Sequence, residues 1–203
     1  GAGFIGSHLV ELLLDRGRQV TVLDDLSTGN LRNLPLSDGR LRIVEGNLCD
    51  PNALLEALTG QDAFVHLAAV ASVEASVMDP LTTHRANLEG SIRLFDTAAR
   101  LGVKRAIYAS SAAVYGNNPN VPLTESDALN PLSPYAADKL AGEHYLAFYH
   151  RTGRLSATAF RFFNVYGPLQ APGHAYAAVI PAFLDAALKG EPLRVHGDGE
   201  QTR

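Results

Sequence analysis

Along this chain, short apolar runs alternate with stretches of helical spacing. Residues 4–16 carry the first helical pattern, closed by Gly17, and 19–24 read as a buried strand ending in acid. A strand over 41–46 and a helix over 51–58 follow, with Asp50 placed to cap the helix ahead of Pro51. Residues 62–66 are apolar enough for another strand. The pattern over 81–101 predicts one long helix with Leu81, Leu88, Ile92, Phe95 and Ala99 near one face. A strand over 105–110 leads to a Pro/Asn-rich loop, 117–131. Ser133 and Pro134 then open a helix running to about 152. A strand over 156–163, a Gly/Pro-rich loop and a helix near 178–188 complete the series. Repeated strand–helix alternation of this kind predicts an α/β fold with a mostly parallel, doubly wound sheet. No internal repeat, low-complexity tract or linker interrupts it.

Composition removes several functional classes. The 203 residues hold 17 Lys+Arg against 21 Asp+Glu, a formal net charge of -4, and no basic tract to neutralise phosphates, so no nucleic acid is expected as partner. The longest weakly polar run, 63–73, falls far short of the ~20 residues of a bilayer span, so no membrane is expected either. A single cysteine, Cys49, excludes an internal disulfide framework and a cysteine-built zinc site. The seven histidines form no short ligand motif, and no metal is expected. The sum reads as a soluble protein of a reducing compartment, the cytoplasm. Because the chain opens inside a glycine motif and stops at Arg203 without a closing element, it reads as part of a longer one.

Gly1, Ala2, Gly3, Phe4, Ile5 and Gly6 fit G-x-G-x-x-G and lead directly into a helix. Read alone, the motif serves equally a tight turn with close helix packing. The glycines also let a backbone approach a pyrophosphate, to which the helix N-terminus offers N–H donors and positive partial charge. Asp24 ends the next strand, 18 residues past Gly6, where a carboxylate binds the hydroxyls of an adenosine ribose. Asp24 and Asp25 together would repel a 2′-phosphate, which favours NAD over NADP.

Tyr135 and Lys139 stand four apart and share one helix face. A lysine there is expected to stabilise tyrosinate and bring a phenol of reference pKa ~10 towards working pH. Tyr135 would then take and return a hydroxyl proton. Ser110 and Ser111 end the preceding strand, where the catalytic groups of such sheets gather, although a serine at a strand end is also an ordinary cap.

Taken together these residues resemble the extended short-chain dehydrogenase/reductase family and, within it, the NAD-dependent nucleotide-sugar epimerases. Further segments carry the likeness: His66, Leu67, Ala68 and Ala69; Asn87 to Gly90; Ser110 to Gly116; Arg161 to Asn164; and Gly197 to Arg203. The resemblance implies a Rossmann-like NAD-binding domain over 1–165, its first strand missing, and the beginning of a nucleotide-sugar-binding domain over 166–203. It implies Ser111, Tyr135 and Lys139 as the catalytic set. Gly1, Gly3, Phe4, Ile5, Gly6, Asp24, Asn47, Leu48, Leu67, Ala68, Asn87, Tyr135, Lys139 and Phe163 would hold NAD. Ser111, Tyr135, Asn164 and Arg203 would hold the substrate. Asn47 stands where the family commonly has an adenine-contacting Asp. It implies a homodimer, in which helices 81–101 and 134–152 pair.

Related 4,6-dehydratases carry an acid pair where this chain has Ala112 and Ala113, so elimination of water is disfavoured. The expected reaction is 4-epimerisation of a UDP-sugar through a transient 4-keto sugar. The stretch 175–181 resembles that of epimerases acting on UDP-N-acetylhexosamines, with UDP-glucose the nearest rival. A nucleotide-sugar reductase or dehydratase, and a non-catalytic NAD-binding sensor, are the other readings.

Overall fold

The computed structural model describes residues 1–170, 179–195 and 197–200. The chain divides into two compact units, one ending at Phe163 and the other starting at Asn164.

The first unit is built from parallel strands and covering helices. Helix α1 (Phe4–Asp15) leads to β1 (Val20–Asp24), which pairs in parallel with β2 (Leu41–Glu45). Gly17 takes a φ of 73° just past α1, as expected of the residue that ends it. Helix α2 (Pro51–Leu58) opens on Asp50, whose carboxylate accepts from the Asn52 N–H. Strands β3 (Ala63–His66), β4 (Arg105–Ser111) and β5 (Ser156–Phe162) form a second parallel sheet in that order. Because parallel strands all run one way, their carboxyl ends collect at one edge, where ligands of such sheets bind.

The predicted long helix is the one element whose internal course differs. It is preceded by a short helix α3 (Val73–Met78) and starts afresh as α4 (Pro80–His84), capped by Asp79. It then passes through a π-helical stretch, Arg85–Glu89, before continuing as α5 (Gly90–Arg100). A π turn takes in an extra residue and shifts the phase of everything before it. Leu81 is therefore 81% exposed, off the face where it was expected, while Leu88 and Phe95 are buried with Leu94 and Ala98.

Phe95 lies at the centre of the main core. Its ring meets those of Phe64, His66, Tyr108 and Tyr149, with Leu54, Leu58, Val103 and Leu146 packed around them. Helix α6 (Pro134–Arg151) is capped by Ser133, whose hydroxyl accepts from the Ala136 N–H at 3.2 Å, and lies against β4 and β5. It comes so close that Gly142 has no room for a side chain: a Cβ there would strike the Tyr108 hydroxyl. In the second unit, helix α7 spans Val179–Lys189. No helix among the described residues is long and apolar enough to cross a membrane.

Gly142→Ala thus sets two effects against each other. Alanine gains about 1 kcal/mol in helix propensity, whereas overpacking a buried contact costs about 1–3 kcal/mol. Denaturant unfolding is expected to show a net loss for Gly142→Ala and only a partial recovery in the double variant with Tyr108→Phe, because the ring carbon that bore the hydroxyl would still lie 2.7 Å from the new Cβ.

Candidate active site

Two structural features flank the glycine turn. Gly3 is the N-cap of α1 and offers no side chain to the helix's first N–H groups, which leaves donors for an anion. A Cβ built on Gly3 meets nothing within 4 Å, whereas one on Gly6 would lie 2.5 Å from the Gly1 carbonyl oxygen. Gly6 is therefore needed for close packing, and Gly3 faces open space at the helix end.

Asp24 holds the turn from β1. Its Oδ2 accepts from the Ala2 N–H (2.8 Å), and its Oδ1 from the Leu26 N–H (3.0 Å). Partial burial works against its ionisation, and the Ala2 and Leu26 N–H donors favour it. A carboxylate accepts about four hydrogen bonds, so room remains for a hydroxyl. Asp25 is committed to Ser27 and to the Asn47 amide nitrogen at 3.0 Å. The Asn47 amide oxygen, expected to face an adenine, already accepts from the Cys49 N–H.

Other expected cofactor contacts have structural duties. Leu48 packs against the main core and against Gly90, which opens α5. Asn87 is buried, and its amide clamps Val70: Oδ1 accepts from the Val70 N–H at 2.8 Å and Nδ2 donates to the Val70 oxygen at 3.1 Å. It therefore positions the loop after β3, which carries Leu67 and Ala68, and keeps one N–H and one lone pair beyond these bonds.

The chemistry-bearing groups collect where β4 ends against the first turns of α6. The Ser111 hydroxyl accepts from the Ala113 N–H and pulls the Tyr135 phenol towards ionisation. Lys139 is 3% exposed, donates to the Ala109 oxygen at 2.8 Å, and sits 5.0 Å from the Tyr108 ring centroid and 5.9 Å from that of Tyr135. Burial lowers its pKa to about 8, with Asp138 opposing the fall.

The expected electrostatics of Tyr135 need correction. Lys139 was expected to lower the phenol's pKa, but burial raises it above the ordinary value and only the Ser111 hydroxyl opposes this. The ammonium donates to the Ala109 carbonyl oxygen and lies 5.9 Å from the Tyr135 ring centroid.

Sequence reasoning missed the support of this cluster. Glu143 continues the Tyr135–Lys139 spacing along α6. It takes the Ser110 hydroxyl's hydrogen bond and pairs with Arg161 of β5, whose Nη2 lies 2.8 Å from Oε2. Arg161 also donates to the Tyr115 hydroxyl (3.0 Å) and to the Glu125 carbonyl oxygen (3.1 Å). A glutamate at i+4 on a face that must be buried was the available signal, since such a charge requires a cation. Phe163 places its ring 6.5 Å from that of Tyr115, and Asn164 begins the second unit. Arg203 and residues 175–178 lie outside the described residues.

The sequence over residues 1–203 matches the NAD dependent epimerase/dehydratase family. The UDP-glucose 4-epimerase of Mycolicibacterium smegmatis is 40% identical, covering 100% of this chain and 66% of its own length. A dTDP-glucose 4,6-dehydratase of Streptomyces niveus is 37% identical over 100% of this chain and 62% of its own. The solved UDP-N-acetylglucosamine 4-epimerase of Methanobrevibacter ruminantium, in complex with UDP-N-acetylmuramic acid, superposes with a TM-score of 0.94 at 45% identity, over 98% of this chain and 64% of that one. This chain belongs to the NAD dependent epimerase/dehydratase family, whose cofactor is NAD. It spans 62–66% of the length of these relatives. The open space at Gly3, the uncapped start of α1 and the spare acceptor capacity of Asp24 fit that dinucleotide.

The two glycines separate folding from binding. In the full-length protein, Gly3→Ala is expected to leave the thermal unfolding midpoint unchanged while calorimetric NAD binding weakens at least tenfold. Gly6→Ala is expected to lower both.

Proposed function

We propose that the protein is an NAD-dependent UDP-sugar 4-epimerase. The observation that carries this reading is the gathering of Ser111 at the end of β4 with Tyr135 and the buried Lys139, whose ammonium lies 5.9 Å from the phenol ring centroid. Bound NAD supplies a hydride acceptor and donor for the sugar's C4. In this reading, Tyr135 takes the proton of the C4 hydroxyl as that carbon becomes a ketone. After the keto sugar has turned over, Tyr135 returns the proton to the new hydroxyl. Ser111 holds the reacting oxygen, and its hydroxyl favours the ionised form the step requires. Lys139 contributes a fixed positive charge behind the ring, and Asn164 and Arg203 would grip the diphosphate.

Both epimerases and dehydratases occur among the relatives, and the site chemistry favours the former. Ala112 and Ala113 follow Ser111 and have no proton to give a departing hydroxide. The substrate is read as UDP-N-acetylglucosamine ahead of UDP-glucose. The exposed apolar residues Met78 and Leu81, with Tyr145 and Phe148 of α6, support a homodimer, which sedimentation of the full-length protein would read.

Proton NMR of the full-length protein with each UDP-sugar is the direct test. A galacto-configured product is expected, formed faster from the N-acetyl sugar. Loss of water would assign a dehydratase, and NAD binding with no conversion a sensor. Tyr135→Phe is expected to lower turnover ~10²–10⁴-fold, the range for lost acid–base help, and unchanged turnover would remove Tyr135 from the mechanism.

A further inference from the structure

Asp138, the residue before Lys139, has no part in the mechanism above. It is 6% exposed, yet only one of its carboxylate oxygens is hydrogen-bonded: Oδ1 meets His84 Nδ1 of α4 at 2.8 Å. Oδ2 is buried without a hydrogen-bond partner among the described residues. Burying half of a carboxylate's acceptor capacity unsatisfied is costly unless the charge has work to do. The adjacent lysine has the opposite deficiency, because its ammonium meets a neutral carbonyl oxygen and two aromatic faces.

We propose that His84 and Asp138 form a positioning pair for Lys139: the imidazole on α4 fixes a buried carboxylate on α6, and that carboxylate keeps the neighbouring lysine charged. The inference rests on the role given to Lys139 in the proposed function. The other groups around α6 leave Asp138 alone in this task. His66 of β3 is buried and, as Ser91 donates to the Asn87 oxygen, must donate through Nε2 to Ser91; it is neutral, with a pKa of about 3. Tyr108 of β4 and Tyr135 of α6 are phenols that burial holds protonated in the free protein. Glu143 is neutralised by Arg161 of β5, which also bonds Tyr115. Asp96 of α5 pairs with Arg100, Arg85 with Glu89 in the π stretch, and Glu74 of α3 is exposed. Asp138 is thus the buried anion that opposes the loss of the Lys139 proton, in agreement with its upward pull on that group.

The test is a titration of Lys139 in full-length, substrate-free protein carrying ¹³C-labelled lysine. The Lys139 Cε signal is assigned by its disappearance in Lys139→Arg. Asp138→Asn removes the anion but keeps the shape, so the lysine should release its proton about tenfold more readily, a midpoint about one pH unit lower. The alkaline limb of kcat/KM for epimerisation should move with it. His84→Ala, at a half-exposed position that folding tolerates, should shift the midpoint the same way by less. His84→Asn, whose Nδ2 amide lies where the imidazole Nδ1 lies and can still donate, should restore it. A folded Asp138→Asn protein with the midpoint unmoved overturns the proposal, as does an unmoved midpoint in His84→Ala. A wild-type protein that converts no UDP-sugar overturns the proposed function instead, and the lysine titration still judges the pair.

Discussion

The arrangement at the end of β4 depends on burying charge between a helix and a sheet. Helix α6 sends Lys139 and Glu143 down from one face, and each needs a partner before it can leave water. Lys139 finds a backbone carbonyl and two rings, and Glu143 finds Ser110 and Arg161. These contacts hold the helix at one height and one rotation over β4 and β5. Tyr135, one turn earlier, is placed by the same constraint, since the only freedom left to it is its own side-chain torsion.

The close approach has a second support in what is absent. Gly142 lets the helix backbone press onto the Tyr108 hydroxyl, and Tyr108 in turn lies beneath the Lys139 ammonium. Phe95 fills the space below, so the aromatic core extends without a break up to the charged layer. Apolar packing and ion pairing are thus consecutive layers of one structure.

Much of this was legible in the residues. The order of strands and helices, the Asp50 and Ser133 caps and the glycine turn all follow from local patterns with short-range causes. What was not legible depends on tertiary context. The π stretch at Arg85–Glu89 changes a helix's phase without any distinctive residue, which is why Leu81 was misplaced. Asn87 also clamps Val70 through its amide, across a loop no periodicity describes. The upward shift of the Tyr135 phenol is a matter of burial, which a spacing of four residues does not carry.

The loop over 117–131 is tied down in a way that bears on how such a site diversifies. Arg161 grasps it by the Glu125 carbonyl oxygen, and the Asn130 N–H donates to the Val114 carbonyl oxygen. Both attachments use main-chain atoms, which every amino acid supplies. Side chains along this rim can therefore drift through many generations of substitution while the loop keeps its moorings. The ion pair of Arg161 with Glu143 beneath is thereby insulated from changes of side chain in the loop above it.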